Sequence, residues 1–252
     1  MDCQNRKTAL ITGASGGIGF ELARCFAADG HDLVLAGSSM KRLEEAAKKL
    51  REAFDVSIVT IEQDLSRQGA ALELYRKVRE EGLEIEYLVN NAGFGTVGPA
   101  EKIDFEQDER LLFLNVVALT ELCKLFLPEM YRRGSGKILN TASTGAFQPG
   151  PFTASYFSSK TYVLSYSRAI RLEARKHGVQ VCALCPGTTR TAFFEKEGME
   201  TPVWAMSPAA VARAGYRGLM HNHGVIVPGL MNQMIRIVPS SVKAYFVARM
   251  KS

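Results

Sequence analysis

The 252-residue chain is 46% hydrophobic and 23% charged, the balance of a globular protein long enough to bury the core of one large α/β domain. Its 31 Lys and Arg against 26 Asp and Glu leave a net charge of +5 that is spread along the sequence, so nucleic acid is not expected as a partner. Five cysteines, odd in number and scattered, read as free thiols of a reducing compartment, and the cytoplasm is the expected location.

Asp2, Gln4, Asn5, Arg6 and Lys7 lead straight into the first apolar run, so no secretory leader is expected. Thr8 to Ile11 reads as a buried strand. It ends in Thr12-Gly13-Ala14-Ser15-Gly16-Gly17-Ile18-Gly19, after which Leu22, Ala23, Phe26 and Ala27 recur at helical spacing. Strand, glycine turn and helix form the setting in which glycines let backbone N–H groups close on a pyrophosphate at the positive end of a helix. The same glycines also suit a plain tight turn.

The alternation continues. A second strand is predicted over Asp32 to Ala36 and a helix over Met40 to Phe54. A third strand over Val56 to Ile61 leads to Asp64-Leu65-Ser66 and a helix to about Glu81. The fourth strand, Tyr87 to Val89, closes in Asn90-Asn91-Ala92-Gly93. A long helix over Asp104 to Arg132, a fifth strand over Lys137 to Thr141 and a helix around Tyr156 follow. The sixth strand, Val179 to Leu184, ends at Pro186-Gly187. Ser207-Pro208 starts another helix, with serine as cap and proline in the first turn. Val225 to Val227 is a short seventh strand. The apolar stretch from Val225 to Val238 is broken by polar residues and falls short of the ~20 residues that span a bilayer, so no integral membrane segment is expected.

Short apolar strands alternating with helices define the expected fold class: α/β, a doubly wound parallel seven-stranded sheet with helices on both faces, a Rossmann fold in one domain over residues 1–252. Such sheets bind ligands at the carboxyl ends of their strands. The Gly13 loop, Asp64, Asn90, Ser143 and Pro186 should therefore share one edge.

On that edge Tyr156 and Lys160 stand four apart on a helix, so ammonium and phenol share a face. A neighbouring positive charge favours phenolate and draws the tyrosine below its ordinary pKa of ~10, as proton exchange with a carbonyl oxygen requires. Alone, the pair would also suit a solvated helix face.

In order and spacing, TGASGGIG at Thr12–Gly19, DL at Asp64–Leu65, NNAG at Asn90–Gly93, Asn115, Ser143, YFSSK at Tyr156–Lys160 and PGTTRT at Pro186–Thr191 resemble the short-chain dehydrogenase/reductase family, in its single-domain subclass. The resemblance covers nearly the whole chain. It implies a catalytic set of Asn115, Ser143, Tyr156 and Lys160. Tyr156 would exchange the proton and Lys160 would lower its pKa and hold the nicotinamide ribose. Ser143 would hydrogen-bond the substrate oxygen, and Asn115 would support a water chain through its backbone. The cofactor would be met by Gly13, Ser15, Gly17, Ile18 and Gly19, by Ser38 and Ser39, and by Asp64 and Leu65 at the adenine. Asn91, Ala92 and Gly93 would lie near the adjacent ribose, and Pro186, Gly187 and Thr191 at the nicotinamide end. An oxidoreductase interconverting a ketone or aldehyde and an alcohol follows. The alternative is a non-catalytic dinucleotide-binding sensor or scaffold of the same fold, which would have no chemical need for the Tyr–Lys pair.

Cofactor choice rests on the second strand, which ends Leu35-Ala36-Gly37-Ser38-Ser39-Met40-Lys41-Arg42 with no acid before Glu44. Enzymes that select NAD usually place a carboxylate there for the ribose hydroxyls. Its absence favours NADP(H), with NAD(H) possible. The segment at about 188–206 is too long for an ordinary connection and reads as a substrate loop. Its Phe193, Phe194 and Trp204, with Phe94 and Phe147, should line an apolar pocket. Apolar residues around most of the helix near Asn115, and on the Tyr156 helix, imply a homodimer or homotetramer. Cys182 and Cys185 straddle a strand and read as buried packing. His221 and His223 lack a third ligand, so no metal is expected.

Overall fold

Thr8–Thr12 (β1) is buried along its whole length. Its side chains alternate between two cores, Ala9 and Ile11 on one face of the sheet and Leu10 on the other. In the computed structural model, residues 6–191, 202, 204–235 and 240–251 are described. Six further strands are Asp32–Gly37 (β2), Ile58–Glu62 (β3), Ile85–Asn90 (β4), Lys137–Thr141 (β5), Gln180–Leu184 (β6) and Val225–Ile226 (β7). They form one sheet in the order β3-β2-β1-β4-β5-β6-β7, with neighbouring strands parallel throughout. The order reverses between β1 and β4, which opens a crevice at their carboxyl ends.

Gly17–Ala28 (α1), Met40–Ala53 (α2) and Pro208–Met220 (α7) cover one face. Leu22, Phe26, Leu43, Leu50, Val211 and Leu219 pack there. Ala70–Glu80 (α3), Leu119–Arg133 (α5) and Ala154–Arg175 (α6) cover the other, burying Leu74, Leu122, Phe126, Val163 and Ile170. Leu230–Ile235 (α8) and Ser240–Lys251 (α9) follow β7.

Three departures from the sequence reading matter for the site. The predicted long helix is Phe105–Leu112 (α4) and α5 joined by a π-turn over Phe113–Ala118, and Asn115 is buried within that turn. π-turns bond i to i+5 and are frequent at functional sites. The third strand starts at Ile58 rather than Val56, because Val56 N–H turns back to Phe54 O and Ser57 N–H is taken by Asp32 Oδ1 at 2.8 Å. It runs on to Glu62. Asn90, expected on the ligand edge, is the last residue of β4 and points into the core, donating to Asn140 Oδ1 at 2.9 Å and to Cys123 Sγ.

Phe105–Arg133 has the length and apolar composition of a membrane span. In this fold its Leu111, Leu119, Leu122, Phe126 and Met130 are core residues, as expected for a helix that covers a sheet.

Candidate active site

The crevice is assembled by hydroxyls and glycines. Thr12, at the end of β1, takes the backbone N–H groups of Asn91 and Ala92 on its Oγ1, both at 3.0 Å. Asn91 Nδ2 donates back to Thr12 O at 3.1 Å, so its side chain fastens the two loops together. Gly13 has φ +66°, and a Cβ there would stand 2.9 Å from Ala92 Cα. A Cβ on Gly19 would fall 2.2 Å from Gly13 O. Only glycine permits these approaches.

The same construction brings the expected chemical residues together. A Cβ on Gly93 would lie 2.9 Å from Asn115 Oδ1 and 3.2 Å from Lys160 Nζ, so loop, π-turn and α6 meet at one point. Asn115 clasps Phe94 through its side chain, accepting from Phe94 N at 3.2 Å and donating to Phe94 O at 2.9 Å. Its Nδ2 also donates to Ser159 Oγ at 3.1 Å. The Asn115 side-chain amide thus sets the Phe94 loop against α6.

Lys160 belongs to the buried stripe of α6, with Val163, Leu164 and Ser167, and is only 4% exposed. Its Nζ donates to Thr141 O at 2.9 Å and lies 5.7 Å from the centre of the Tyr156 ring. Burial pushes the ammonium down to about 8, with Cys185 pulling the other way. Ser143 follows β5 and caps the short 3-10 turn Thr144–Phe147, accepting from Gly145 N at 3.0 Å. That bond uses an oxygen lone pair and leaves the hydroxyl proton to donate.

Two contacts that no sequence pattern foretold hold the first turn of α6. Asp108 on α4 accepts from Thr96 Oγ1 at 3.2 Å and from Ser155 Oγ at 2.5 Å, tying the loop after Gly93 to the residue before Tyr156. The Phe157 ring lies over Gly145 and Gly150, where a Cβ would come within 3.1 Å and 2.2 Å of it.

For a dinucleotide, the glycine loop has the right form. Gly16 caps α1 with no side-chain bond, the first turn carries no acid, and a Cβ on Gly16 would meet nothing within 4 Å. α1 thus offers uncapped N–H groups at an open edge, which suits a pyrophosphate. Ser15 and Ile18 are half-buried beside it. Leu65 is buried in the core. Asp64 accepts from Ser66 N at 2.9 Å and Ser66 Oγ at 2.7 Å, with Arg110 at 3.5 Å. Burial raises its carboxyl, but Ser66 and Arg110 outweigh that and hold it below the usual range. Ser38 is exposed and Ser39 half-buried.

At the end expected to take the nicotinamide, Pro186 O accepts from Thr144 N at 2.8 Å, joining the loops after β5 and β6. Thr191 lies against Gly17, its Cγ2 3.2 Å from a Cβ placed there. Gly187 packs under Asn232 of α8. The ends of the expected substrate loop are pinned: Met206 N donates to Thr188 O and Arg190 N to Met206 O, each at 2.9 Å. Phe193 and Phe194 lie outside the described residues. Trp204 is 55% exposed, and Phe147 packs partly on the core while its carbonyl accepts from the buried Lys243 of α9 at 3.2 Å. Cys182 and Cys185 are fully buried, and burial pushes the Cys182 thiol up to about 11, the reverse of a redox thiolate.

A profile of the short chain dehydrogenase family matches residues 7–201. The chain belongs to that family, and is an NAD(P)-dependent oxidoreductase acting between carbonyl and alcohol. It is similar to a short-chain dehydrogenase from Sphingobium yanoikuyae in complex with NADPH, at 33% identity and TM-score 0.84 over 97% of this chain and 94% of that one. A bulky-bulky ketone specific alcohol dehydrogenase from Comamonas testosteroni is 32% identical, with TM-score 0.82 over 98% and 93% of the two chains. An oxidoreductase of Bacillus subtilis (strain 168), YxjF, is 33% identical over 193 residues, 76% of this chain and 74% of the relative.

Proposed function

We propose that this protein interconverts a bulky, predominantly apolar ketone and its secondary alcohol, preferring NADP(H), with Asn115, Ser143, Tyr156 and Lys160 as its catalytic set. The observation that carries this reading is the burial of Lys160 beside Tyr156, fixed by Thr141 O and facing Gly93 and Asn115. A buried ammonium in contact with a tyrosine ring is costly to maintain for packing alone.

In the reducing direction the Tyr156 hydroxyl gives its proton to the carbonyl oxygen. The Ser143 hydroxyl, already accepting from Gly145, donates to the same oxygen. Two donors then meet the negative charge that develops there. Asn115 keeps the Phe94 loop against α6, and Lys160 lowers the cost of removing a proton from Tyr156. When bound, the nicotinamide supplies or takes the hydride.

Support for NADP(H) comes from the absence of an acid at the carboxyl end of β2 and in its following turn, and from the similar Sphingobium dehydrogenase in complex with NADPH. Support for a bulky ketone comes from the similar Comamonas enzyme and from Phe94 and Phe147 close to Asn115 and Ser143 in the chain's loops. The free thiols Cys25, Cys123, Cys182 and Cys185 suit a cytoplasmic setting. Tyr162 and Leu172, exposed apolar residues on α6, suit a homodimer or homotetramer. The test is loss of nicotinamide absorbance with ketones of graded bulk and each reduced cofactor. Turnover of bulky ketones is expected; turnover confined to short anionic substrates would refute the reading.

A further inference from the structure

The first turn of α2 is capped from outside its own sequence. Ser39 occupies the cap position with extended backbone, φ −147° and ψ 109°, yet its hydroxyl makes no capping bond and no acid lies in the first turn. The Met40 N–H is taken instead by Glu62 Oε1 at 3.0 Å. Glu62 ends β3, in register with Gly37 at the end of β2. Lys77 fixes that strand end through the backbone, donating to Glu62 O at 2.9 Å. The carboxylate itself is exposed and rests on the helix N-terminus, whose partial positive charge attracts it.

We propose that Glu62 is a selectivity residue for the adenosine ribose: its carboxylate occupies the anion position at the start of α2 and must yield it to a 2′-phosphate. The inference rests on the reading above that the β2–α2 turn meets that ribose. The segment from the carboxyl end of β2 into α2 carries no acid before Glu44, but β3 delivers one through space to the Met40 N–H group. A carboxylate within a few ångströms of an incoming phosphate opposes it, whereas the ribose diol of NADH brings no charge. Glu62 therefore restrains NADPH and leaves NADH nearly untouched. Lys41 and Arg42 follow on the exposed start of α2 and act in the opposite sense.

Glu62→Gln keeps an acceptor for Met40 N–H and removes the charge, so the melting temperature should hold. Equilibrium titration of wild type and variant with NADPH and with NADH, followed by nicotinamide fluorescence, reads the effect without turnover. At low salt the NADPH Kd should fall about tenfold while the NADH Kd stays within about twofold. The gain should shrink at high salt, because exposed charges are screened. An unchanged NADPH affinity overturns the proposal. So does a loss of NADH affinity with NADPH unmoved, which would mean that the carboxylate holds ribose hydroxyls. Wild-type protein that binds neither dinucleotide would overturn the function proposed above, and this assignment with it.

Discussion

Lys160 donates its ammonium to the carbonyl oxygen of Thr141 at 2.9 Å, and in doing so gives up nearly all contact with water. Burial lowers its pKa to about 8, so the folded protein releases this proton before the unfolded chain does. From about pH 8 up to the ordinary lysine range near ~10.4, the unfolded state binds more protons, and this group's contribution to stability rises with pH. Below pH 8 the full cost of the buried charge is present. Lys160→Met removes the titration. The melting temperature of wild type relative to this variant should climb between pH 8 and pH 10, measured without cofactor. A flat difference across that window would contradict the burial argument.

Tyr156 and Ser143 are expected to serve the same substrate oxygen from different elements, the start of α6 and the turn after β5. Tyr156→Phe removes only the hydroxyl that donates the proton. General acid–base groups contribute about 100-fold to 10,000-fold, so kcat should fall by at least about 100-fold while the Kd for NADPH stays within about twofold. Single-turnover kinetics with a reactive ketone, beside a binding titration, separates the two quantities. Normal turnover in the variant would remove Tyr156 from the mechanism.

Asp108 joins Thr96 to Ser155 through one carboxylate, and Ser155 precedes Tyr156. Asp108→Ala leaves two hydroxyls without their acceptor at the point where α6 begins. A loss of about 1–3 kcal/mol is expected. In a chain of this size that lowers the melting temperature by about 2–4 °C per kcal/mol. Because displacing a reacting group by even ~1 Å is costly, kcat should drop about tenfold or more with cofactor affinity unchanged. Asp108→Asn, which retains an acceptor, should recover most of both. Equal defects in Asn and Ala variants would show that charge rather than placement is at stake.

The strand and helix alternation was legible because each strand is an apolar run between turn residues, and the structure buries those runs on both faces. The Tyr156–Lys160 pair was legible because helical spacing alone puts the two side chains on one face. What escaped is non-local. Glu62 reaches Met40 only through the β2–β3 register, and Asp108 reaches Ser155 only because α4 crosses the start of α6. The π-turn at Asn115 has no signature in residue propensity; a lone asparagine among apolar residues was its only trace. Asn90 turned inward because the last residue of β4 lies opposite Asn140 on β5, and the two amides pair.

The β2–α2 turn offers the sharpest handle on the proposed cofactor preference. Gly37 is free of the left-handed region, and a Cβ there would sit at ordinary contact distance, 3.4 Å, from the Leu43 side chain. Gly37→Asp should therefore fold, with a melting temperature within a few degrees of wild type. The new carboxylate would stand at the end of β2, in register with Glu62, and place two negative charges where a 2′-phosphate has to enter. It would also supply the acceptor that ribose hydroxyls use in NAD-selecting folds. The NADPH Kd should rise by about tenfold or more at low salt, with NADH binding unchanged or tighter. Paired titrations of the variant with both cofactors at two ionic strengths decide the matter. If the ratio of affinities does not move in a variant that is folded and binds dinucleotide, this turn does not read the phosphate, and the preference for NADP(H) loses its physical basis.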